Sequence, residues 1–278
     1  MRQRFSFQSL VPTTVMGILN VTPDSFADGG KYDSESRAVQ TALEMEACGA
    51  GIIDIGGEST RPGAASVTLE DELARVVPVI EQIRKHSDVP ISIDTSKAEV
   101  MRAAIVAGAD MINDVNALRA EGALKVAVEH QVPVCLMHMQ GTPKNMQVQP
   151  SYLDVVSDVV TFLTERANEC ILAGLKADEI AIDPGFGFGK NVDQNYQLFA
   201  SIPRFIETNY PVLVGVSRKS MLGAVVNKPV EQRLAGSIAA ATMAAEMNVH
   251  LLRVHDVEET VDAVNVVNAV REAKSQIK

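Results

Sequence analysis

The sequence predicts a single (β/α)8 barrel spanning residues 1–278, and three observations carry that reading. Short β-branched apolar runs alternate with amphipathic helical segments along the chain, which is the rhythm of a parallel sheet. Asp, Asn, Lys, Arg or His recur at the C-terminal ends of these runs, the rim where a barrel builds its site. The length, 278 residues, slightly exceeds the roughly 250 residues of a typical barrel.

Taken in order, run 15–20 ends in Asn20 and leads through a long connection, 21–33, to a helix expected at 34–48 that Gly49 would cap. Run 51–54 ends in Asp54. A second long connection, 56–68, follows, and Thr68 with acid in the next turn opens a helix at 69–86. Run 91–94 ends in Asp94, with Thr95 and Ser96 before a helix at 98–108 closed by Gly108. Run 111–113 ends in Asn113 before a helix at 119–131. Run 134–137 meets His138 and Met139, then a third long connection, 139–152, and a helix at 153–174 ending in Gly174. Run 180–183 ends in Asp183 before a helix at 193–207, and run 212–219 ends in Lys219 before a helix at 229–247. Run 251–255 ends in His255 before the last helix, 258–275. The three long connections are rich in Gly, Pro, Asp, Ser and Thr and are expected to be functional lids. A doubly wound sheet is disfavoured because the first βα turn carries no GxGxxG.

Composition excludes several partners. The net charge is −10 and the basic residues form no stripe, which argues against nucleic acid. Aromatics make up 4% with no Trp, too few for a base-stacking platform. No apolar run approaches the ~18 residues of a membrane span, and the first ten residues lack the apolar stretch of a signal peptide. Cys48, Cys135 and Cys170 have no CxxC spacing and are expected to be buried thiols of a cytoplasmic protein.

Side chains on a strand alternate faces. If the Ile, Leu and Val of each run face the helices, then Asp54, Ser92, Asp94, Asn113, Met137, Asp183, Gly215, Ser217, Lys219, Arg253 and His255 face the lumen. Asp54 stays open between a site role and a cap for the glycine turn that follows it. His138 and Arg218 read as structural, and His86, His130 and His250 receive no chemistry.

Two zones result. Asp94, Asn113 and Asp183, walled by Met137 and Phe188, offer acceptors suited to a flat heterocycle with several N–H donors. Arg253, His255, Lys219 and the loop residue Arg61 offer cations suited to phosphate or diphosphate. Asn20 is a hard oxygen donor suited to a Mg²⁺ bridging phosphate oxygens, while no HExxH or Cys/His cluster suggests zinc. The 183–190 segment, Asp-Pro-Gly-Phe-Gly-Phe-Gly-Lys, resembles a phosphate loop only superficially. Its spacing is short and Asn191 stands where Ser or Thr is required, so it reads as a flexible rim turn lined by Phe186 and Phe188.

At this point the motifs are specific in combination. They comprise Asn-Val-Thr-Pro-Asp-Ser-Phe at 20–26, Asp-Ile-Gly-Gly-Glu-Ser-Thr-Arg-Pro-Gly at 54–63, Ile-Asp-Thr-Ser at 93–96 and Ile-Asn-Asp-Val at 112–115. Met-His-Met-Gln-Gly at 137–141, the 183–190 segment, Ser-Arg-Lys-Ser at 217–220 and Arg-Val-His-Asp at 253–256 follow in order. From about residue 12 to 270 the chain closely resembles the bacterial dihydropteroate synthases.

The resemblance implies condensation of 6-hydroxymethyl-7,8-dihydropterin diphosphate with 4-aminobenzoate, with sulfonamides as competitive inhibitors. It makes Asp94, Asn113, Met137, Asp183, Gly215 and Lys219 pterin contacts. Asn20, Arg253 and His255 would hold the diphosphate, with Asn20 on its Mg²⁺. Thr60, Arg61 and Pro62, with Phe188, Ser217 and Lys219, would form the aminobenzoate pocket, and Asp28 would approach the reaction centre. Ala27 departs from the family's frequent Ser, which puts one hydroxyl contact in doubt, and no fused pyrophosphokinase is expected. A homodimer through the last helices, with Val261, Val264 and Val267, is a further expectation.

Three competing readings are a methyltetrahydrofolate-type methyltransferase, a non-catalytic pterin-binding module and a Schiff-base aldolase using Lys219. The aldolase is weakened by a polar neighbourhood that gives no obvious reason for a lowered lysine pKa.

Overall fold

A computed structural model of the chain describes residues 4–10, 13–22, 31–59, 63, 66–142 and 146–277, with backbone only at 31–33. Its first half runs β1 (Thr14–Asn20), α1 (Lys31–Ala47), β2 (Ile52–Gly56), α2 (Leu69–Arg84), β3 (Ile91–Asp94), α3 (Ala98–Ala107), β4 (Met111–Asp114) and α4 (Ala123–His130). The second half runs β5 (Val134–Met137), α5 (Val155–Leu172), β6 (Ile180–Asp183), α6 (Val192–Ala200), α7 (Ile202–Ile206) and β7 (Leu213–Val214). It ends with α8 (Ser220–Val226), α9 (Leu234–Glu246), β8 (Leu251–Val254) and α10 (Val257–Gln276).

The eight strands form one parallel sheet in the order β6-β5-β4-β3-β2-β1-β8-β7. A single bridge between Ile182 and Val212 brings its two edges together into the predicted (β/α)8 barrel. The helix-facing Ile, Val and Leu of the strands join the main core, while Met16, Ile52, Met111, Cys135, Ala181, Leu213 and Leu251 fill the bottom of the lumen. Phe5 and Phe7 plug that lower end, packed edge to face with centroids 5.5 Å apart.

Register turns the alternation of faces into a site. Asp54 pairs with Ser92, Asp94 with Asn113, Met137 with Asp183 and Met16 with Arg253, so inward residues on one strand neighbour inward residues on the next.

Several expected boundaries shift for local reasons. The seventh strand is two residues long instead of running to Lys219, because Arg218 turns left-handed at φ 57° and an unexpected helix, α8, starts at Ser220. The helix expected at 119–131 begins at Ala123, because the Asp114 carboxylate accepts from the Asn116 and Leu118 amides and holds a turn there. The helix expected at 193–207 breaks at Ser201, where Pro203 sits in the first turn of α7. Thr68 does cap α2, accepting from the Asp71 amide at 3.1 Å, whereas α3 is capped at Lys97 without a side-chain bond. Gly108 caps α3 in the left-handed conformation at φ 119°.

Two expectations about surfaces are corrected. Val264 and Val267 are buried and Val261 packs on the same core, so these three face the barrel; α10 exposes Val266 and Val270 instead. Cys135 and Cys170 are buried thiols, but Cys48 is half-buried. Among the described residues no helix is long and apolar enough to cross a membrane.

Candidate active site

The strand ends converge on one charge network. Arg253, from β8, donates through Nε to Asp54 at 2.5 Å and through Nη2 to Asp94 at 2.6 Å. Asn113 donates to the same Asp54 carboxylate at 3.2 Å. Asp54 is therefore a member of the lumen network and not the cap of its own glycine turn. These bonds join residues up to 199 positions apart in sequence.

Arg253 is placed differently from the free anion-binding cation that the sequence suggested. Two carboxylates hold its guanidinium, so the acidic and basic zones interlock. Burial alone would lower the Arg253 pKa, but Asp54 and Asp94 outweigh it and raise the value. Asp94 is pushed up to about 7, chiefly by burial, with Arg253 pulling the other way and Asp54 adding to the rise. Its Oδ1 is buried without a hydrogen-bond partner, as is Ser92 Oγ. An orphaned buried acceptor aimed into a barrel mouth asks for a donor from a ligand.

On the opposite wall, Asp183 accepts from the Gly185 amide at 2.7 Å, and burial raises its pKa while Lys219 lowers it. Lys219 donates to the Phe186 carbonyl and lies 4.8 Å from the Phe188 ring centroid. Burial lowers Lys219 to about 8 against the pull of Asp183. Its surroundings thus do lower its pKa, contrary to the sequence argument, which removes one objection to amine chemistry there. The ammonium is nonetheless held by a carbonyl, a carboxylate's field and an aromatic face. Met137, Met139 and Met146 cluster with Val115 and Phe188 as the apolar wall.

Gly215 faces Arg253, and an added Cβ would sit 3.8 Å from that arginine's own Cβ. Ser217 Oγ lies 3.1 Å from His255 Nδ1 and accepts from the His255 amide at 3.2 Å. Arg218 points away and makes a two-point ion pair with Asp256, one bond at 2.9 Å, while Ser237 Oγ accepts from its amide. Asn20 stands half-buried at the mouth of β1 beside Gly56. Asp28, Thr60, Arg61 and Pro62, and Ala27 with them, lie outside the described residues.

Two features escaped sequence reading. The 183–190 segment is a fastened turn and not a flexible one: Phe186 is fully buried against Phe199, and Lys190 is buried in the turn itself. Glu72, in the first turn of α2, is buried and paired with Lys97 at 2.5 Å; Lys97 also meets Glu58 at 2.5 Å. A carboxylate on the apolar stripe of an amphipathic helix was the available signal. His138, read as structural, is buried and packs edge to face on the Phe162 ring with centroids 4.9 Å apart, and burial lowers its pKa to about 3.

Residues 16–255 match the family described as pterin binding enzyme. Dihydropteroate synthase of Escherichia coli is 53% identical over 260 residues, covering 94% of this chain and 92% of its own. The chain belongs to the dihydropteroate synthase family. Among solved members of that family, the Yersinia pestis enzyme with a sulfonamide drug superposes with a TM-score of 0.89 at 50% identity, covering 94% of each chain. The Xanthomonas albilineans dihydropteroate synthase with 4-aminobenzoic acid has a TM-score of 0.89 at 51% identity, covering 93% of each.

Proposed function

We propose that this chain condenses 6-hydroxymethyl-7,8-dihydropterin diphosphate with 4-aminobenzoate to give 7,8-dihydropteroate and diphosphate. The observation that carries the assignment is the unpartnered Asp94 Oδ1, buried among Asp54, Asn113 and Arg253 and opposite the Asp183–Lys219 wall. A pterin edge supplies N–H donors to Asp94 and Asp183 and an acceptor for Lys219 or Asn113, and its flat ring fits against Met137 with Gly215 leaving room below.

In this reading Asn20 and His255 hold the diphosphate at the rim, and Arg253 adds a positive field from within the slot. The C–O bond between the pterin methylene and diphosphate breaks with its electron pair leaving on diphosphate. The buried carboxylates temper the cationic methylene that results. The aminobenzoate nitrogen then forms the new C–N bond and loses a proton to water; a neutral arylamine requires no strong general base. Thr60, Arg61, Pro62, Phe188 and Ser217 are assigned to the aminobenzoate and Asp28 to the reaction centre, following the family resemblance.

The donor set suits Mg²⁺. Asn20 offers one hard oxygen, which suits an ion that substrate phosphates and water would otherwise hold. When bound, Mg²⁺ would neutralise charge on the diphosphate leaving group. Formation of 7,8-dihydropteroate from the pterin diphosphate and labelled 4-aminobenzoate, measured with and without Mg²⁺, tests the proposal: the condensed product must form and must need Mg²⁺, and its absence with all components present rejects the proposal. Sulfonamides should compete with aminobenzoate in the same assay.

We also propose a cytoplasmic homodimer joined through α9 and α10, where Met243 is 52% exposed and Val266 64% exposed on the faces turned from the barrel. Val266→Lys should convert a dimer to a monomer in sedimentation equilibrium; a wild-type monomer would reject the pairing.

A further inference from the structure

The lysine that lends the 183–190 segment its likeness to a phosphate loop serves the turn itself. Lys190 is 2% exposed. Its Nζ donates to the Gly185 and Phe188 carbonyls, each at 2.9 Å, and to the His138 carbonyl at 3.3 Å. It also lies 3.0 Å from His138 Nδ1. Burial lowers the Lys190 pKa to about 7 against the pull of Asp183; in its ammonium form the group only donates, so the imidazole then presents its lone pair at Nδ1 and carries its proton on Nε2. A neutral imidazole agrees with the low pKa of His138. With these acceptors around it, the Lys190 amine is directed into the protein and not toward a substrate phosphate.

The turn approaches the exit of β5 closely. Gly185, Gly187 and Gly189 all have positive φ, between 64° and 82°. A Cβ on Gly185 would stand 1.9 Å from the His138 carbonyl oxygen, and one on Gly189 would stand 2.5 Å from that of Gln140, so the turn lies directly on the exit of β5. The ammonium satisfies carbonyls that this close approach takes out of water. The turn also presents two groups to the site: the Phe186 carbonyl that accepts from Lys219, and the Phe188 ring 4.8 Å from the same Nζ.

We propose that Lys190 is a positioning residue for the aminobenzoate half of the reaction, clamping residues 184–190 onto β5 so that the Phe188 ring walls the second-substrate pocket. This rests on the transferase reading above and deepens it. Lys190 touches no substrate; it acts through Phe188.

Lys190→Met keeps the aliphatic stem and removes the donors. The expected result is a KM for 4-aminobenzoate raised at least tenfold, while calorimetric affinity for the pterin diphosphate stays within threefold of wild type. Combined with Phe188→Leu, its effect on that KM should be clearly less than multiplicative, because both changes remove the same wall. Equal losses for both ligands that track a fall in Tm would make Lys190 merely structural and overturn the proposal, as would multiplicative effects in the double variant. Should Lys190→Met not fold, His138→Leu removes one of the acceptors and leaves the carbonyls in place. The same selective rise, at least threefold, is then expected, and an unchanged aminobenzoate KM would overturn the proposal. Failure of the wild-type protein to form dihydropteroate in the same assay would reject the transferase reading itself, an outcome distinct from either result on Lys190.

Discussion

Asp94 carries the sharpest residue-scale expectations. One oxygen bonds Arg253 and the other is buried without a partner, so a ligand N–H there gains a charge-assisted bond. Such a bond contributes roughly 1.5–3 kcal/mol. Asp94→Asn should therefore weaken pterin diphosphate binding about ten- to hundredfold by calorimetry, and Asp183→Asn should act in the same direction; wild-type affinity in both would dismantle the slot. The same residues set a pH profile. Ligand binding needs Asp94 as a carboxylate, and its pKa stands at about 7, so kcat/KM should climb as pH rises through that value. It also needs Lys219 as an ammonium, with a pKa of about 8, so kcat/KM should fall as pH rises further. A narrow bell is expected, and a profile flat from pH 6 to 9 would count against these roles. The inward direction of Asp94, Asn113, Asp183, Lys219 and Arg253 was readable from two-residue alternation. Arg253's commitment to two carboxylates was not, because strand parity says which way a side chain points and nothing about which neighbour it meets.

At the scale of elements, the cluster of Glu58, Lys97 and Glu72 ties three segments together: the β2 exit, the start of α3 and the first turn of α2. Glu72 is fully buried, and its Oε1 has no partner, so it depends on Lys97 for compensation. Breaking a buried pair on one side costs about 3–5 kcal/mol. Lys97 is itself 27% exposed, which places Lys97→Met at the lower end, about 3 kcal/mol in urea unfolding. A change under 0.5 kcal/mol would show that Glu72 finds water instead. The strand and helix order was legible throughout, whereas the boundaries at Ala123, Ser201 and Ser220 were not. Each of those is decided by a bond or turn between residues that propensity treats singly: Asp114 with two amides, Pro203 after Ser201, and Arg218 held left-handed by Ser237 and Asp256.

For the whole molecule, closure of the barrel is uneven. β1 pairs with β2 over five register positions, while β6 and β7 meet at one bridge, Ile182 with Val212, and β7 pairs with β8 at two positions. His250 Nδ1 accepts from the Val212 amide at 3.1 Å and supports this seam from below. Amides at 212–216 should exchange with deuterium well before those of β1 and β2, and equal protection would mean the seam opens only with global unfolding. This seam carries Gly215, Ser217 and Lys219 just beyond it, so the least fastened part of the sheet adjoins the cation wall of the site.

Local information reached far in this chain. Alternation of side chains along each strand, and the placement of polar residues at the C-terminal ends, are written in consecutive residues, and they were enough for the barrel, the rim and most of the inward-facing groups. What required the folded chain was every relation between distant residues: Arg253 bound to Asp54 and Asp94, Lys190 turned into its own loop, and Glu72 buried against Lys97. Hydrogen bonds and burial depend on distances across strands, and those distances arise only from the register and closure of the sheet.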